Sequence, residues 1–192
     1  ELTAKYIIFS FGNLTIEAGS TADMESTTNK LIIDGNLTLD GTLILSTASG
    51  GDLTIDGDWT RTGTFTPNSR LVLFNGTSTL TGQTTFDYIT VASGASLTMS
   101  DGITANTAFV IQSTATLDMG TDIIDGGGSF TLNSGSTLKI GHLSGISSTA
   151  ATGNIQVTGT RTFASDATYH YTGNGNQYSG DELPTASAAK TI

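Results

Sequence analysis

A short pattern recurs along the chain at intervals of roughly 20 residues and constrains the fold more than any other feature. Two apolar residues flank one residue of any type, and turn residues such as Gly, Asn, Asp and Ser follow. The first residues of successive pairs are 17, 22, 18, 18, 20, 21 and 25 positions apart. The pairs are Leu14/Ile16, Leu31/Ile33, Leu53/Ile55, Leu71/Leu73, Ile89/Val91, Phe109/Ile111, Phe130/Leu132 and Ile155/Val157. Such internal similarity is the signature of a solenoid.

Further apolar positions between the pairs predict two more strands in most units. Alternate residues of a strand face opposite ways, so the apolar-any-apolar step is the period of a strand. A flat sandwich also has many short strands, but it does not require the same side-chain type at the same phase in every unit. We therefore predict an all-β fold, a parallel β-helix (β-solenoid) of about eight coils with three short strands per coil. We expect it to be right-handed, because the coil length varies from 17 to 25 residues.

The repeat crosses every plausible boundary and predicts one solenoid domain over residues 1–192. Residues 1–11 form an apolar leading strand or end-contact segment in this prediction, and residues 12–192 form the coils. Solenoids need polar caps to protect their open edges. Neither end of the sequence resembles a cap, so we expect a piece of a longer repeat array, or ends that neighbouring subunits cover.

Charge and composition exclude several classes of function. The net charge is −10, from 17 acidic against 7 basic residues. This balance argues against nucleic acid and against anionic membrane surfaces, both of which need a basic patch. The sequence has no cysteine, which excludes thiol chemistry and disulfide support. No apolar run approaches the ~18 residues of a membrane span. The composition fits an extracellular surface.

Two segments each have a distinctive order of aromatic and turn residues. Residues 57–91 contain Gly57, Trp59, Gly63, Phe65, Pro67, Phe74, Asn75, Gly76, Gln83 and Phe86. Residues 159–184 contain a Thr-Phe step, a pair of tyrosines, a Gly-Asn-Gly turn and a Leu-Pro step. Both segments resemble repeat units of the large secreted β-strand-repeat surface proteins of Bacteroidota and related bacteria. The resemblance implies export, surface attachment and adhesion, and it implies no catalytic residues.

Aspartates cluster in two consecutive coils and form a candidate calcium site. Asp34 and Asp56 follow their apolar pairs at the same phase, and Asp58 lies close to them. Stacked coils would bring such carboxylates to roughly 5 Å, where a cation would relieve their repulsion. Calcium prefers carboxylate and carbonyl oxygens. The alternative is that these residues are turn formers that face water. No other cofactor is expected.

Three further possibilities are polysaccharide cleavage, a histidine metal site and ice binding, and the residues match each of them only in part. Polysaccharide-cleaving β-helices need paired acids beside a cleft. Here the predicted loops are short, and we expect no enzyme. His142 and His170 have no partner at metal-ligand spacing. Ice-binding solenoids need threonine at one phase on successive coils, whereas the column between the apolar pairs alternates Thr with Ile or Val and ends in Gln.

The start of the chain is its most apolar segment and predicts an interaction surface. The residues concerned are Tyr6, Ile7, Ile8, Phe9 and Phe11. In a strand, apolar side chains would lie on both faces, and an uncovered strand of that kind would promote aggregation. We expect the segment to contact a preceding coil or another subunit through strand addition. The alternative is a capping strand that folds over the end of the core.

These observations together predict a non-catalytic structural or adhesive module of a large extracellular cell-surface protein. The alternative is a polymerising subunit of an extracellular fibre, with an ice-binding solenoid or a polysaccharide-active enzyme as further candidates. Expected partners are neighbouring repeats or identical subunits, placed end to end, and surface glycans. We expect neither nucleic acid binding nor a membrane span.

Overall fold

The computed structural model describes residues 9–184 and the strand at 189–191, and these residues form strands and turns without a helix. The described part of the chain therefore has no helix that could cross a membrane. In chain order the strands are β1 (Phe9–Phe11), β2 (Leu14–Ile16), β3 (Thr21–Asp23), β4 (Leu31–Ile33), β5 (Leu37–Leu39), β6 (Thr42–Ile44), β7 (Leu53–Ile55), β8 (Trp59–Arg61), β9 (Thr64–Thr66), β10 (Leu71–Phe74), β11 (Thr77–Thr81), β12 (Thr84–Val91), β13 (Ser96–Met99), β14 (Ile103–Ile111), β15 (Thr116–Asp118), β16 (Ile124–Asp125), β17 (Ser129–Leu132), β18 (Thr137–Ile140), β19 (Arg161–Phe163), β20 (Thr168–Tyr171) and β21 (Ala189–Thr191).

The strands stack into three sheets whose ladders are parallel. The first sheet has the order β1-β4-β7-β10-β12-β14-β17-β19, with β16 beside β14. The second sheet has the order β2-β5-β8-β11-β13-β15-β18-β20-β21, and the third has the order β3-β6-β9. The fold is therefore an all-β parallel solenoid of about 6 turns, as the repeat predicts in kind.

The predicted number of eight coils is too high, because two of the eight apolar pairs do not lie on the main path of the first sheet. Leu14 and Ile16 belong to the second sheet, where they pair with Leu37 and Leu39. Ile155 forms a bridge with Ile124, outside the main path of the first sheet. The same apolar-any-apolar pattern lines every inner face, so the pattern counts strands rather than turns.

The third strand of each coil is separate in the early turns alone. In the later turns β12 and β14 extend into the first sheet as longer strands. Their register shifts between Phe86 and Tyr88, as expected for a β-bulge, which bends a strand. The three-strand prediction is therefore correct for the first turns, whereas in the later turns one bent strand takes the place of two.

The core is a continuous column of apolar side chains inside the stack. In β10 the predicted inward residues are wrong by one position: Val72 and Phe74 are buried, and Leu71 and Leu73 are half-buried. Val72 pairs with Leu53, and Phe74 pairs with Ile55. Because Cβ positions must match between stacked turns, this register determines which side chains face inward.

An aromatic cluster occupies the core between β8 and β12 and explains why Phe74 faces inward. The ring of Trp59 lies 4.9 Å from Phe65 and 5.3 Å from Phe86, measured between centroids. Phe74 lies 6.3 Å from both Trp59 and Phe86. Such tilted and edge-to-face pairs are favourable beyond simple burial. The outward alternative for Phe74 would leave a void beside Trp59.

Polar side chains connect successive turns at the corner before the second sheet. The Asn13 Oδ1 atom accepts a hydrogen bond of 2.8 Å from the Asn36 backbone N–H, and Asn36 Oδ1 accepts one of 2.8 Å from Asp58. Asp58 Oδ1 accepts a hydrogen bond of 2.7 Å from the Thr79 N–H. This corner ladder satisfies backbone donors that the sheets leave unpaired.

Candidate ligand-binding cleft

One irregular region interrupts the regular stack, between β18 and β19 and again after β20. Here the loop at residues 141–154 contacts the loop at residues 172–183 of the next turn, and we call the pair the double loop. Ile146 forms an antiparallel bridge with Gly153 and a parallel bridge with Gly180. Its side chain is fully buried. Insertions in repeat proteins gather as loops on one face, which is often the binding face.

Arg161 connects the two halves of the double loop from the inside. Its Nη1 donates to the Ser147 carbonyl at 2.6 Å, and its Nη2 donates to the Ser148 carbonyl at 2.5 Å. The Nη1 atom also lies 3.1 Å from Glu182 Oε2, without the alignment of a hydrogen bond. The guanidinium side chain is 8% exposed, so its charge is turned towards the loop backbone rather than water.

Two further side chains fix the loop backbone. The amide of Asn154, fully buried, accepts from the His142 N–H at 3.0 Å and donates to the carbonyls of Gly120 and Asp122 at 3.1 and 2.6 Å. The Tyr171 hydroxyl donates to the Ser179 carbonyl at 2.7 Å. Burial raises the pKa of Tyr171 to about 12, so the phenol keeps its proton at neutral pH. Both loops are therefore held in one conformation.

Two glycines allow the loops to approach each other closely. Gly145 and Gly180 have φ angles of +64° and +83°. A Cβ atom on Gly180 would lie 1.9 Å from the Ile146 carbonyl oxygen, and one on Gly145 would lie 2.3 Å from the Tyr178 carbonyl oxygen. No side chain fits at either position, so the close contact depends on glycine.

A shallow cleft opens on the outer side of the double loop. It has a volume of about 340 Å³ and is lined by Ser144, Ser147, Thr152, Tyr178, Ser179, Gly180 and Asp181. Tyr178 is 74% exposed and Leu143 is 47% exposed, the highest values among the large apolar side chains of the described residues. The Tyr178 N–H donates to the Leu143 carbonyl at 2.8 Å, which joins the backbones of the two residues.

The cleft presents a carboxylate and no cationic side chain. Ser148 donates to Asp181 Oδ1 through its N–H and to Asp181 Oδ2 through its hydroxyl, both at 2.7 Å. These hydrogen bonds lower the pKa of Asp181, which stays ionised. For Glu182, burial raises the pKa by more than Arg161 lowers it. The lining residues include no Lys, Arg or His.

Of the aspartates of the calcium prediction, Asp34 and Asp56 lie at the same phase, as expected, and Asp56 and Asp58 accept hydrogen bonds from the neighbouring turn. Ile33 pairs with Ile55, so Asp34 and Asp56 follow matched positions. Asp56 Oδ1 accepts from the Asn75 amide at 3.0 Å, and Asp58 Oδ1 belongs to the corner ladder. No group of three or more His, Cys, Asp or Glu residues within the described part is arranged to hold a metal ion. Calcium binding at these residues stays a prediction.

The predicted interaction segment is described in part. Tyr6, Ile7 and Ile8 lie outside the described residues. Phe9 begins β1 and pairs with Leu31, and Phe11 pairs with Ile33. Phe11 is half-buried and packs against the core. The leading strand is therefore an ordinary member of the first sheet over these residues, and its contact with a partner stays a prediction.

Threonine columns on the second sheet are a feature that the sequence interpretation missed. Threonines of four strands pair in register, and a second column on the later strands contains threonine with one serine. The first column is Thr15, Thr38, Thr60 and Thr81, and the second is Thr77, Ser96, Thr116, Thr137 and Thr168. The first-sheet column, in contrast, alternates Thr with apolar residues, and Leu73 replaces the predicted Val72 in it.

The sequence interpretation did not predict a site at the cleft residues Tyr178 and Asp181, nor at Arg161, which connects the loops behind them. The signal for them was the interval of 25 residues that precedes Ile155, the longest in the repeat. Contacts such as Arg161 with Ser147 have no periodic signature in the sequence. The chain matches no protein-family model, no curated protein and no solved structure at a significant level.

Proposed function

We propose that this chain is a non-catalytic structural and adhesive module of a large extracellular cell-surface protein, built as a right-handed solenoid. The observation that supports this proposal best is the double loop, a rigid irregular element that presents an exposed cleft on a regular stack. Binding residues are disproportionately found on loops that a rigid scaffold positions. The small fraction of charged residues, 12%, and the variable coil length are consistent with an exported, right-handed β-helix.

The stack supplies the structural half of this proposed function. Each turn hydrogen-bonds its neighbours through the sheets and the corner ladder. Stability in such proteins is a sum over neighbouring repeats, so further repeats can extend the rod without a new core. Neighbouring repeats of the same chain are therefore the proposed end-to-end partners.

A bead assay tests the adhesive half. Beads coated with the chain are passed in flow over bacterial exopolysaccharide, mucin and bare glass, with heat-unfolded protein as the matched coating. We expect the folded coating to be retained on at least one polymer surface and not on glass. Equal retention of both coatings would contradict adhesion by the folded module. If the folded protein instead forms filaments as its concentration rises in light scattering, the fibre subunit is the better proposal.

The threonine columns favour one second candidate, an ice-binding solenoid. Along the first column hydroxyl and methyl groups repeat at about 4.8 Å, the spacing between strands. The second column repeats the hydroxyl groups and lacks the methyl group at Ser96. A regular array of this kind can order water in the pattern of an ice surface. We expect Thr60→Tyr to abolish any thermal hysteresis, whereas Thr131→Tyr on the first sheet keeps it. Absence of thermal hysteresis in the unaltered chain removes this candidate.

A further inference from the structure

We propose that the cleft of the double loop binds a neutral oligosaccharide, with the Tyr178 ring as its stacking surface. This proposal rests on the adhesive function above and assigns that function to one site and one class of ligand. Tyr178 is 74% exposed, although its backbone N–H is held by the hydrogen bond to the Leu143 carbonyl. An exposed aromatic ring in a fixed loop gains contact area when an apolar face covers it.

Pyranose rings have the surface that such a tyrosine would cover. One face of the ring carries C–H groups, and the edge carries hydroxyl groups. The cleft offers groups for both parts, since Tyr178 lines it together with Ser144, Ser147, Thr152 and Ser179. Serine and threonine hydroxyls donate and accept, so they can pair with sugar hydroxyls of either orientation. Tyrosine also keeps a polar end that remains in water.

The charge of the cleft selects neutral over acidic sugars. Asp181 lines the cleft, and its two oxygens accept hydrogen bonds from Ser148 that hold the ionised carboxylate in place. An anionic ligand would meet this carboxylate without a lining cation to compensate it. A sugar hydroxyl can donate a hydrogen bond to a carboxylate, which acts as a strong acceptor.

The size of the cleft and its rigidity favour a small ligand over a protein partner. A volume of about 340 Å³ lies at the lower end of the range for small-molecule sites. A stable protein interface needs about 800 Å² on each partner, far more than the surface of this cleft. Arg161, Asn154 and Tyr171 fix the loops before a ligand arrives, so little ordering is lost on binding.

Affinity electrophoresis tests the proposal with defined polymers. The chain is run through native gels that contain dextran, yeast mannan or galactomannan, with alginate as the acidic comparison. We expect at least one neutral polymer to retard the chain and alginate to have no effect. Tyr178→Ala should lose the retardation, and Tyr178→Phe, which keeps the ring, should retain it. Tyr88→Ala is the matched control, because Tyr88 is an exposed tyrosine at 39% on the first sheet.

The outcomes separate this proposal from the adhesive function. Three outcomes would overturn the cleft assignment. They are retardation that survives Tyr178→Ala, equal retardation by alginate, and a failure of every neutral polymer to retard the chain. If beads coated with Tyr178→Ala adhere as well as the unaltered coating, adhesion stands and the cleft is not its site. If the unaltered coating neither adheres nor is retarded, both proposals fail. Far-ultraviolet circular dichroism of each variant confirms that the fold is kept.

Discussion

Trp59 is the largest fully buried side chain of the described residues, and its indole nitrogen has no hydrogen-bond partner. The ring contributes apolar contacts on several sides, whereas the unpaired N–H carries a desolvation cost. Asn154 is the opposite case, because it is buried and each end of its amide is hydrogen-bonded. A single buried residue thus stabilises the rod either by filling core volume with apolar contacts or by having all of its polar groups hydrogen-bonded.

Substitution of Trp59 separates volume from polarity. Trp59→Ala should destabilise the fold by about 3–5 kcal/mol, the range for large aromatic residues in cores. Trp59→Phe should cost clearly less, because it keeps most ring contacts and removes the unpaired donor. Thr60→Ala, on the outward face, should stay within about 0.5 kcal/mol. Urea unfolding followed by circular dichroism measures all three, since the chain has a single tryptophan and fluorescence would be lost. Equal losses for Ala and Phe would contradict the packing argument.

Removal of the Asn154 amide should loosen the double loop locally. Asn154→Ala leaves the His142 N–H and the carbonyls of Gly120 and Asp122 unpaired, at a cost of about 1–3 kcal/mol for each buried group that stays dry. Faster hydrogen exchange at the His142 amide is the expected readout. The control is Asn174→Ala, because Asn174 is exposed in the same element. Unchanged exchange at His142 would show that water replaces the side chain without loss.

Strand β10 shows what a period of two can and cannot specify. Its residues Leu71, Val72, Leu73 and Phe74 are all apolar, so either alternation fits the sequence equally well. The choice is made by pairing with β7 and by the aromatic cluster around Trp59. Local sequence therefore predicts the strand, and its neighbours determine which face is inside.

A pair of aspartate substitutions tests the phase of β10. Val72→Asp places a charge in the dry core and should prevent folding or reduce stability by several kcal/mol. Leu73→Asp places the same charge on the half-exposed outer face and should leave the chain folded. Thermal unfolding and circular dichroism of the two variants give the answer. If Leu73→Asp proves less stable than Val72→Asp, then Leu71 and Leu73 face inward, as the sequence pattern predicts.

The Asp181 carboxylate makes the double loop sensitive to acid. Hydrogen bonds from Ser148 lower its pKa in the folded state, so its contribution is complete above the ordinary Asp pKa of about 3.9. The contribution is lost as the pH falls through the lower folded pKa. The Ser148 amide resonance in NMR should shift with a midpoint below 3.9, the ordinary value. Asp181→Asn should remove that transition, and its persistence in the variant would assign it to another group.

The fold class was predictable from sequence, and most of the candidate site was not. Pairs such as Leu31/Ile33 and Leu53/Ile55 specify buried strands directly, because their alternation matches between the two paired strands. Which sheet a pair joins depends on contacts with other turns, and so Leu14/Ile16 was placed on the wrong face. The double loop depends on contacts between residues far apart in the sequence, such as Ser148 with Arg161 (13 positions) and with Asp181 (33 positions). Such contacts have no local pattern.

At the scale of the whole molecule, each turn contacts its immediate neighbours and little else. In the second sheet the buried residues Leu97, Leu117 and Leu138 of β13, β15 and β18 lie at matched positions. In repeat proteins of this type stability is roughly a sum of repeat and interface contributions. A complete turn is therefore an exchangeable unit, provided that the register is conserved.

Deletion of one matched turn should leave a shorter folded solenoid. Phe109 pairs with Phe130, so removal of residues 109–129 joins Ala108 to Phe130 at an equivalent position. We expect a folded protein with a lower unfolding midpoint, because one interface is lost. Removal of residues 109–118 is the control, since it deletes half a turn. The corner segment of one turn would then lie beside a strand of the next turn. Circular dichroism and urea unfolding distinguish the two. If both deletions fold alike, the register has less influence than proposed.

The direction of the ladders also determines how the rod responds to load. Backbone hydrogen bonds join each turn to the next, and so they run along the stacking axis. A force between the two ends of the stack would load these hydrogen bonds one turn at a time, in an unzipping geometry. It would not load them all at once, as a shear geometry does. Each opened turn would release roughly 20 residues, about 70 Å of slack chain. A tether built from such turns lengthens in steps under tension, and it takes up sudden force before its attachment breaks.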